Sequence, residues 1–289
     1  DGANGNIAIT PNGSGAVQLD GLSWPTADGT ENQVLKTDGS GTLSWTTSSS
    51  GASNVNGLSD ALIEDNSLYL GQDPSSTTST AEYNLSIGVT ALDAITTGDA
   101  NIAIGHDALS ANTTGSGNLA IGYGAYDNAD TEGNNLAIGR DALGGSINGG
   151  ETNIAIGNYS LDANTSGDRN VALGYVALTQ NSTGTYNVAI GSGASQLNSS
   201  GSSNTSLGNN SMYSNTSANY NTAIGAEALY DIARTSDTDG YNTALGYNAG
   251  NTGTNDITTG NKNTLLGAST AASAAAGTNQ TIIGYGASG

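Results

Sequence analysis

The chain has 289 residues, 43 of them glycine, with no Phe, no Cys, and Trp only at Trp24 and Trp45. This composition excludes a thick aromatic core, a disulfide framework and a Cys-ligated metal. A net charge of −20, from 25 acidic and 5 basic residues, argues against nucleic acid as a partner, because phosphate binding needs clustered Lys and Arg.

The chain opens on Asp1-Gly2-Ala3 without Met or signal peptide, so a processed product or a fragment is expected. Residues 1–65 read as a β-rich connector. Asn6-Ile7-Ala8-Ile9-Thr10 alternates like a strand and stops at Pro11-Asn12-Gly13, a turn signal. Val34-Leu35-Lys36-Thr37, then Asp38-Gly39-Ser40-Gly41, then Thr42-Leu43-Ser44-Trp45 predict a hairpin. Residues 46–51 are only Thr, Ser and Gly and read as a linker. No apolar run reaches the ~20 residues that span a bilayer, so membrane insertion is not expected.

From residue 66 to 289 the chain repeats. The unit is Asn–apolar–small–apolar–Gly, as in Asn101-Ile102-Ala103-Ile104-Gly105. Its closing glycines are Gly71, Gly88, Gly105, Gly122, Gly139, Gly157, Gly174, Gly191, Gly208, Gly225, Gly246, Gly267 and Gly284, so of twelve intervals nine are 17 residues, one is 18 and two are 21. Period-2 alternation inside the unit predicts a short strand. The glycine is a corner, a small residue and often Leu follow (Ala108-Leu109, Ala142-Leu143), and a polar turn such as Asn112-Thr113-Thr114-Gly115 closes the coil. One such unit cannot bury its own apolar face, but stacked units share a core. The fold class expected is all-β: a parallel β-solenoid, or β-roll, of about thirteen ~17-residue coils, roughly 60 Å long at the ~4.8 Å strand spacing.

Alternation defines two faces. The Ile, Leu and Val pairs, such as Ile102/Ile104 and Val188/Ile190, are expected to form the core. The leading asparagines (Asn84, Asn101, Asn118, Asn135, Asn153, Asn170, Asn187, Asn204, Asn221, Asn242, Asn263) are expected to form a ladder, since equal register sets each amide one coil above the last. The small residues between the pairs (Ser86, Ala103, Ala120, Ala137, Ala155, Ala172, Ala189, Ser206, Ala223, Ala244) are neither open-solvent types nor bulky core, and predict a close-approach subunit face. Bulkier Tyr69, Leu265 and Ile282 replace them at the ends. From Thr205 onward the first strand position is Thr (Thr205, Thr222, Thr243, Thr264, Thr281). An interior substitution is the plainer account; an exposed Thr array would suit ice or glycan contact. The 21-residue intervals place bulging loops around 236–240 and 254–259, and the Ala/Ser-rich stretch 268–276 is either a turn of helix or coil.

Asn-Ile-Ala-Ile-Gly, Asn-Leu-Ala-Ile-Gly and Asn-Thr-Ala-Ile-Gly, followed by Ala-Leu and Asn-Thr-Thr-Gly-like turns, resemble the head repeat of trimeric autotransporter adhesins and the repeat region of bacteriophage tail fibres. Leu22-Ser23-Trp24-Pro25-Thr26-Ala27-Asp28-Gly29, the stretch from Gln33 to Gly39, and Leu58-Ser59-Asp60-Ala61-Leu62 also look like tail-fibre sequence. The resemblance covers nearly the whole chain. It implies a left-handed β-roll, a homotrimer or homopolymer, exposure outside the cell on a virion or cell surface, and attachment to a cell-surface glycan or protein receptor. The 17-residue unit is longer than the usual adhesin head repeat, and no segment resembles the self-cleaving chaperone that ends many phage fibres.

Catalysis is not expected. Glycoside hydrolysis needs two carboxylates at a set separation, whereas Asp93, Asp107, Asp127, Asp141, Asp162 and Glu227 are scattered over turns, and His106 is the only histidine. No cofactor is expected. Calcium is the metal that turns such as Asp237-Thr238-Asp239-Gly240 would suit, although the Gly-Gly-X-Gly-X-Asp nonapeptide of calcium β-rolls is missing. Several Asn-X-Ser/Thr sequons, including Asn112, Asn164, Asn181, Asn198 and Asn215, arise from an Asn/Thr-rich composition. Tyr123, Tyr175, Tyr247 and Tyr285 each follow a corner glycine and could rank as a sugar-stacking strip. The reading is an adhesive or spacing fibre segment; the alternatives are an extracellular filament subunit joined end to end through residues 1–65, and a polysaccharide-depolymerising tailspike.

Overall fold

The structure is a computed structural model that describes residues 18–19, 22–25, 27, 29–31, 33–47, 61–71, 80–145, 148–232, 239–253 and 256–289. The chain divides into two compact units, residues 1–57 and 58–289. The strand expected over residues 6–10 and most of the linker lie outside the described residues. No helix occurs among the described residues, so none is long and apolar enough to cross a membrane.

In the first unit, β1 (Gln18–Leu19) pairs with β2 (Leu22–Ser23), and β3 (Gln33–Thr37) pairs antiparallel with β4 (Leu43–Thr47). The β3–β4 hairpin is the one the turn residues predict. Asp38 Oδ1 accepts from the amides of Ser40 (2.7 Å) and Thr42 (3.0 Å), an Asx-type closure that pins the turn.

The second unit is one fourteen-stranded sheet. It starts with β5 (Ala61–Glu64), antiparallel to β6 (Ser67–Leu70). Twelve three-residue strands follow, all parallel and in sequence order: β7 (Leu85–Ile87), β8 (Ile102–Ile104), β9 (Leu119–Ile121), β10 (Leu136–Ile138), β11 (Ile154–Ile156) and β12 (Val171–Leu173). They continue as β13 (Val188–Ile190), β14 (Thr205–Leu207), β15 (Thr222–Ile224), β16 (Thr243–Leu245), β17 (Thr264–Leu266) and β18 (Thr281–Ile283). Every pairing keeps the repeat register, as in Ala172 beside Ala189, so the unit is the parallel β-solenoid that the period predicts. Residues 61–65 belong to this solenoid rather than to the connector, because β5 is the first strand of its sheet. The 18-residue and both 21-residue intervals keep the strands in step, at Leu136–Ile154, Thr222–Thr243 and Thr243–Thr264; residues 236–238 and 254–255 of the predicted loops lie outside the described residues. Residues 268–276 are coil and turn, not helix.

The coil is narrow, and its narrowness reverses the expected faces. Within the unit that starts at Asn101, the buried residues are Asn101, Ala103, Ala108, Leu109, Asn112 and Gly115. Ile102 and Ile104 point out, and Ile102 is 37% exposed. The small-residue rank from Ser86 to Ala244 is wholly buried inside each single chain, so it is core and not a subunit face. Seventeen residues with several tight corners enclose a space about one large side chain wide, which Leu109 fills against two alanines. An Ile at the position of Ala103 would overpack it. The same volume rule governs the ends: Leu265 and Ile282 enter the alanine rank where the leucine rank falls to Gly250 and Ala271. They fill the interior, as Tyr69 does at the other end.

Left-handed backbone makes the corners. The closing glycines sit at φ values such as +135° at Gly105, and a Cβ there would lie 2.4 Å from the carbonyl oxygen of Gly122 one coil on. Position and conformation both demand glycine. Less expected, the inward leucines (Leu92, Leu109, Leu143, Leu161, Leu178, Leu229) also lie at φ +49° to +53°. Each such residue costs about 1 kcal/mol. The stack offsets it by taking up the reoriented amide: Leu109 N–H donates to Ala125 O at 3.1 Å and Leu178 N–H to Ala194 O at 3.0 Å.

Candidate interaction surfaces

Inside the coil, the eleven asparagines that lead the strands form a continuous ladder. Each backbone N–H donates to the Oδ1 of the asparagine one coil earlier, from Asn101 on Asn84 (2.8 Å) to Asn263 on Asn242 (3.1 Å). Ser67 Oγ begins the run by accepting from Asn84 N–H, and Gln280 N–H ends it on Asn263 Oδ1. The other half of each amide reaches across the coil: Asn101 Nδ2 donates to Gly115 O (2.9 Å) and Asn187 Nδ2 to Gly201 O (2.8 Å). A side chain of this size with one acceptor and two donors meets needs that strand pairing leaves open. Every rung has the backbone donor, and from Asn170 to Asn263 the side-chain amides bond up the stack as well, each Nδ2 donating to the preceding Oδ1 at 3.1–3.2 Å.

A second buried asparagine rank, on the far side of the coil, is invisible to the strand period. Asn181, Asn198 and Asn215 each donate Nδ2 to the Oδ1 of the preceding member, at 3.1, 2.8 and 2.8 Å, with Asn164 first in line. Each also bonds the carbonyl three residues on, as Asn164 does to Gly167 O (3.0 Å). These residues and Asn112 each head an Asn-X-Ser/Thr sequon, and their Nδ2 groups are buried and bonded. They are structural and closed to glycosylation in the folded coil. The signal that could have found them is their recurrence seven residues after the closing glycine of a unit, at Asn112, Asn164, Asn181, Asn198 and Asn215.

Outside the coil, Leu68 and Leu70 of β6 and the first and third residues of β7 to β18 form two uncharged ranks, one apolar throughout and the other turning to Thr from Thr205. Twenty-six outward positions on β6 to β18 carry Leu, Ile, Val or, from Thr205 on, Thr, and none carries a charge. Several are about 40% exposed, including Ile87, Leu173, Leu207 and Leu245. The Thr rank is therefore an exterior array, not the interior substitution expected.

Aromatic and basic side chains line up along the turns. His106 stacks on Tyr123 (ring centroids 5.4 Å), and Arg140 lies 5.5 Å from the Tyr123 ring and 5.8 Å from Tyr159. Tyr159 meets Tyr175 edge to face, Tyr213 stacks on Tyr230 (5.0 Å), and Tyr220 on Tyr241 (5.1 Å). Arg169 lies over Tyr186 at 5.4 Å and donates to its hydroxyl at 2.9 Å. Tyr123, Tyr175, Tyr247 and Tyr285 do share one rank but sit three, four and two coils apart, so they make no unbroken strip.

The acids gather along one edge. Burial, with nearby Asp107, holds Asp93 above the usual aspartate range; burial, with Asp141 and Asp107, does the same to Asp127, and burial with Asp141 to Asp162. His106 Nδ1 lies 2.6 Å from Asp107 Oδ2, which places it in a surface pair beside the tyrosine stack. Among the described residues no three His, Asp or Glu side chains converge to hold a metal. Asp237 and Thr238 of the calcium-like turn lie outside the described residues, and Asp239 accepts from Tyr241 Oη at 3.0 Å.

The likeness to adhesin heads and tail fibres rests on this chain's own motifs, because no family model, no curated protein and no solved structure matches it.

Proposed function

We propose that the chain is a non-catalytic segment of an extracellular fibre, self-associated into a homotrimer, that carries or spaces a glycan-recognising surface on a virion or cell. The observation that carries this reading is the uncharged outer stripe. A chain with net charge −20 keeps every charge off twenty-six consecutive outward strand positions, although a wet face tolerates Lys and Glu. Exposed apolar patches of this extent mark contact surfaces. The stripe is about 60 Å long and two side chains wide, on the order of 600 Å², close to the roughly 800 Å² each partner contributes to a stable interface. Its strict coil-by-coil period is matched by another copy of the same chain, with three stripes turned to a common axis.

Sedimentation and native mass measurement of the parent test this directly. A trimer is expected, and Ile138→Glu with Ile156→Glu should give folded monomers, while Ser192→Glu, off the stripe, should assemble like the parent. A monomeric parent would overturn the reading, and a ladder of unlimited masses would favour the end-to-end filament. A glycan array on the intact oligomer tests the recognition half. The acidic edge keeps the depolymerase alternative in play, and the same array glycans assayed for hydrolysis separate binding from cleavage.

A further inference from the structure

We infer that Tyr186, Ser203 and Tyr220 form a slot that holds one neutral pyranose ring of a glycan. The slot deepens the glycan-recognising reading above and rests on it. The three residues occupy the same place in successive coils, with matching left-handed backbone (φ +58°, +57° and +58°). They also share one hydrogen bond: the amides of Tyr186, Ser203 and Tyr220 each donate to the carbonyl one coil back, on Asp168, Thr185 and Ser202, at 2.9–3.1 Å. Equal backbones aim their side chains in parallel, so the two tyrosines stand as walls with serine as the floor.

What sets this pair apart is that both walls are braced from behind. Arg169 covers the outer face of Tyr186 and bonds its hydroxyl, and Tyr241 stacks on the outer face of Tyr220 with only 5° between the ring planes. Those partners hold the rings across the solenoid axis and leave the two inner faces open toward each other. Both tyrosines are about half exposed, at 56% and 49%. Tyr247 and Tyr285 flank Ala268 in a similar way, but no contact fixes their ring planes.

Width chooses the occupant. Two coil steps separate the walls by about 9.6 Å. A flat aromatic ring between two others fills only about 7–8 Å at van der Waals contact, so a nucleobase or planar dye would be loose. A pyranose chair is thicker by its axial hydrogens, and its C–H bonds present weakly positive edges to the negative faces of both tyrosines. Thr185 and Ser202, next to the wall and floor in the chain and joined by a Thr185 N–H to Ser202 Oγ bond of 3.0 Å, supply hydroxyls for the sugar's own. The strong negative charge of the chain disfavours uronic and sialic sugars, which leaves neutral hexoses and N-acetylhexosamines.

Saturation-transfer NMR on the intact oligomer, with methyl β-glucoside, methyl β-galactoside, methyl α-mannoside and methyl N-acetyl-β-glucosaminide as probes, tests the slot. At least one should receive saturation from tyrosine. Ser203→Tyr should close the slot as one more rung in the tyrosine ladder, keep the circular dichroism and melting of the parent, and weaken that probe at least tenfold. Tyr220→Ser should weaken it comparably, whereas Tyr83→Ser, an unpaired tyrosine of the same rank, should leave it unchanged. Binding that survives Ser203→Tyr overturns the slot. So does a parent that binds array glycans but none of the four probes, and in that case the glycan-recognising reading still stands; a blank array removes both.

Discussion

Ala189 and Ile190 are chain neighbours on β13, and they occupy opposite worlds. The alanine is sealed inside the coil, while the isoleucine lies on its outer wall. In a broad globular core the larger apolar residue is the one taken inside, because burial scales with area. Here the enclosed cross-section is so narrow that shape decides before area does. The inner wall takes alanine, one larger residue in most coils (most often leucine) and one or two asparagines, and the surplus apolar area is left outside for another surface to cover. The difference teaches that in a thin solenoid, exposed isoleucine is not a fault of the fold but a consequence of its bore.

The sharpest way to break this comparison is Ala189→Glu. If the inner wall is core, the variant buries an unpaired carboxylate, at a cost of at least about 4 kcal/mol, and denaturant unfolding should show lost or split cooperativity even in a monomeric background. Near-parental stability with altered assembly would restore the small-residue rank to the surface.

Next in size is Asn170→Ala. It removes the acceptor of Asn187 N–H (3.0 Å), leaving that buried amide without a partner, and one of the two donors to Gly184 O, which still accepts from Asn181 (3.0 Å); with the cavity left behind, the loss should be about 2–3 kcal/mol. Hydrogen exchange should localise the damage to the coils around β12 and β13.

A finer contrast lies within the second asparagine rank. Asn181→Leu should cost about 2 kcal/mol, because it strands Asn164 Oδ1 and one of the two N–H donors of Asn198, whose Nδ2 keeps only Gly201 O. Asn112→Leu should change stability by less than about 1 kcal/mol. Asn112 stands between Ile95 and Ala129, its Oδ1 is buried with no partner, and the carbonyl it serves, Gly115 O, still accepts from Asn101. Equal losses in thermal melts of the two variants would show that the rank acts by packing rather than by its amide ladder.

The smallest expected effect is on pH. Asp93, Asp127, Asp162 and Asp231 are held above the ordinary aspartate value, chiefly by burial and then by Asp107, Asp141 and Asp256. Their folded pKa exceeds the unfolded one, so over that window the folded state binds more protons and stability falls as pH rises. Melting of the solenoid should therefore climb as pH drops from 7 toward about 4, where unfolded aspartates themselves begin to titrate. Asp38, held low by the amides of Ser40 and Thr42 in the first unit, works the other way. A melting temperature that stays flat with acidification would show that the acidic edge is fully solvated, and one that falls would show that carboxylates held low outweigh it.

Much of this molecule was legible from residue order alone. A 17-residue recurrence of Asn, alternating small and apolar residues, and Gly determined that the chain is a parallel solenoid. It set the strand positions from Leu85 to Ile283, and it ranked Asn84 to Asn263 in register, since only stacked coils carry one residue to the same place again and again. The β3–β4 hairpin was equally plain, because Asp38-Gly39-Ser40-Gly41 is local turn chemistry. The tertiary structure alone decided which face looks inward. Period 2 separates Ala189 from Ile190 without saying where the core lies; that depends on how tightly the corners curl, and the corners use left-handed Leu, Asp, Tyr and Arg, residue types that carry no such signal in a sequence. The second asparagine ladder, the outward turn of the Thr rank and the gap between Tyr186 and Tyr220 all follow from that curl, because each depends on what the coil encloses and what it turns out.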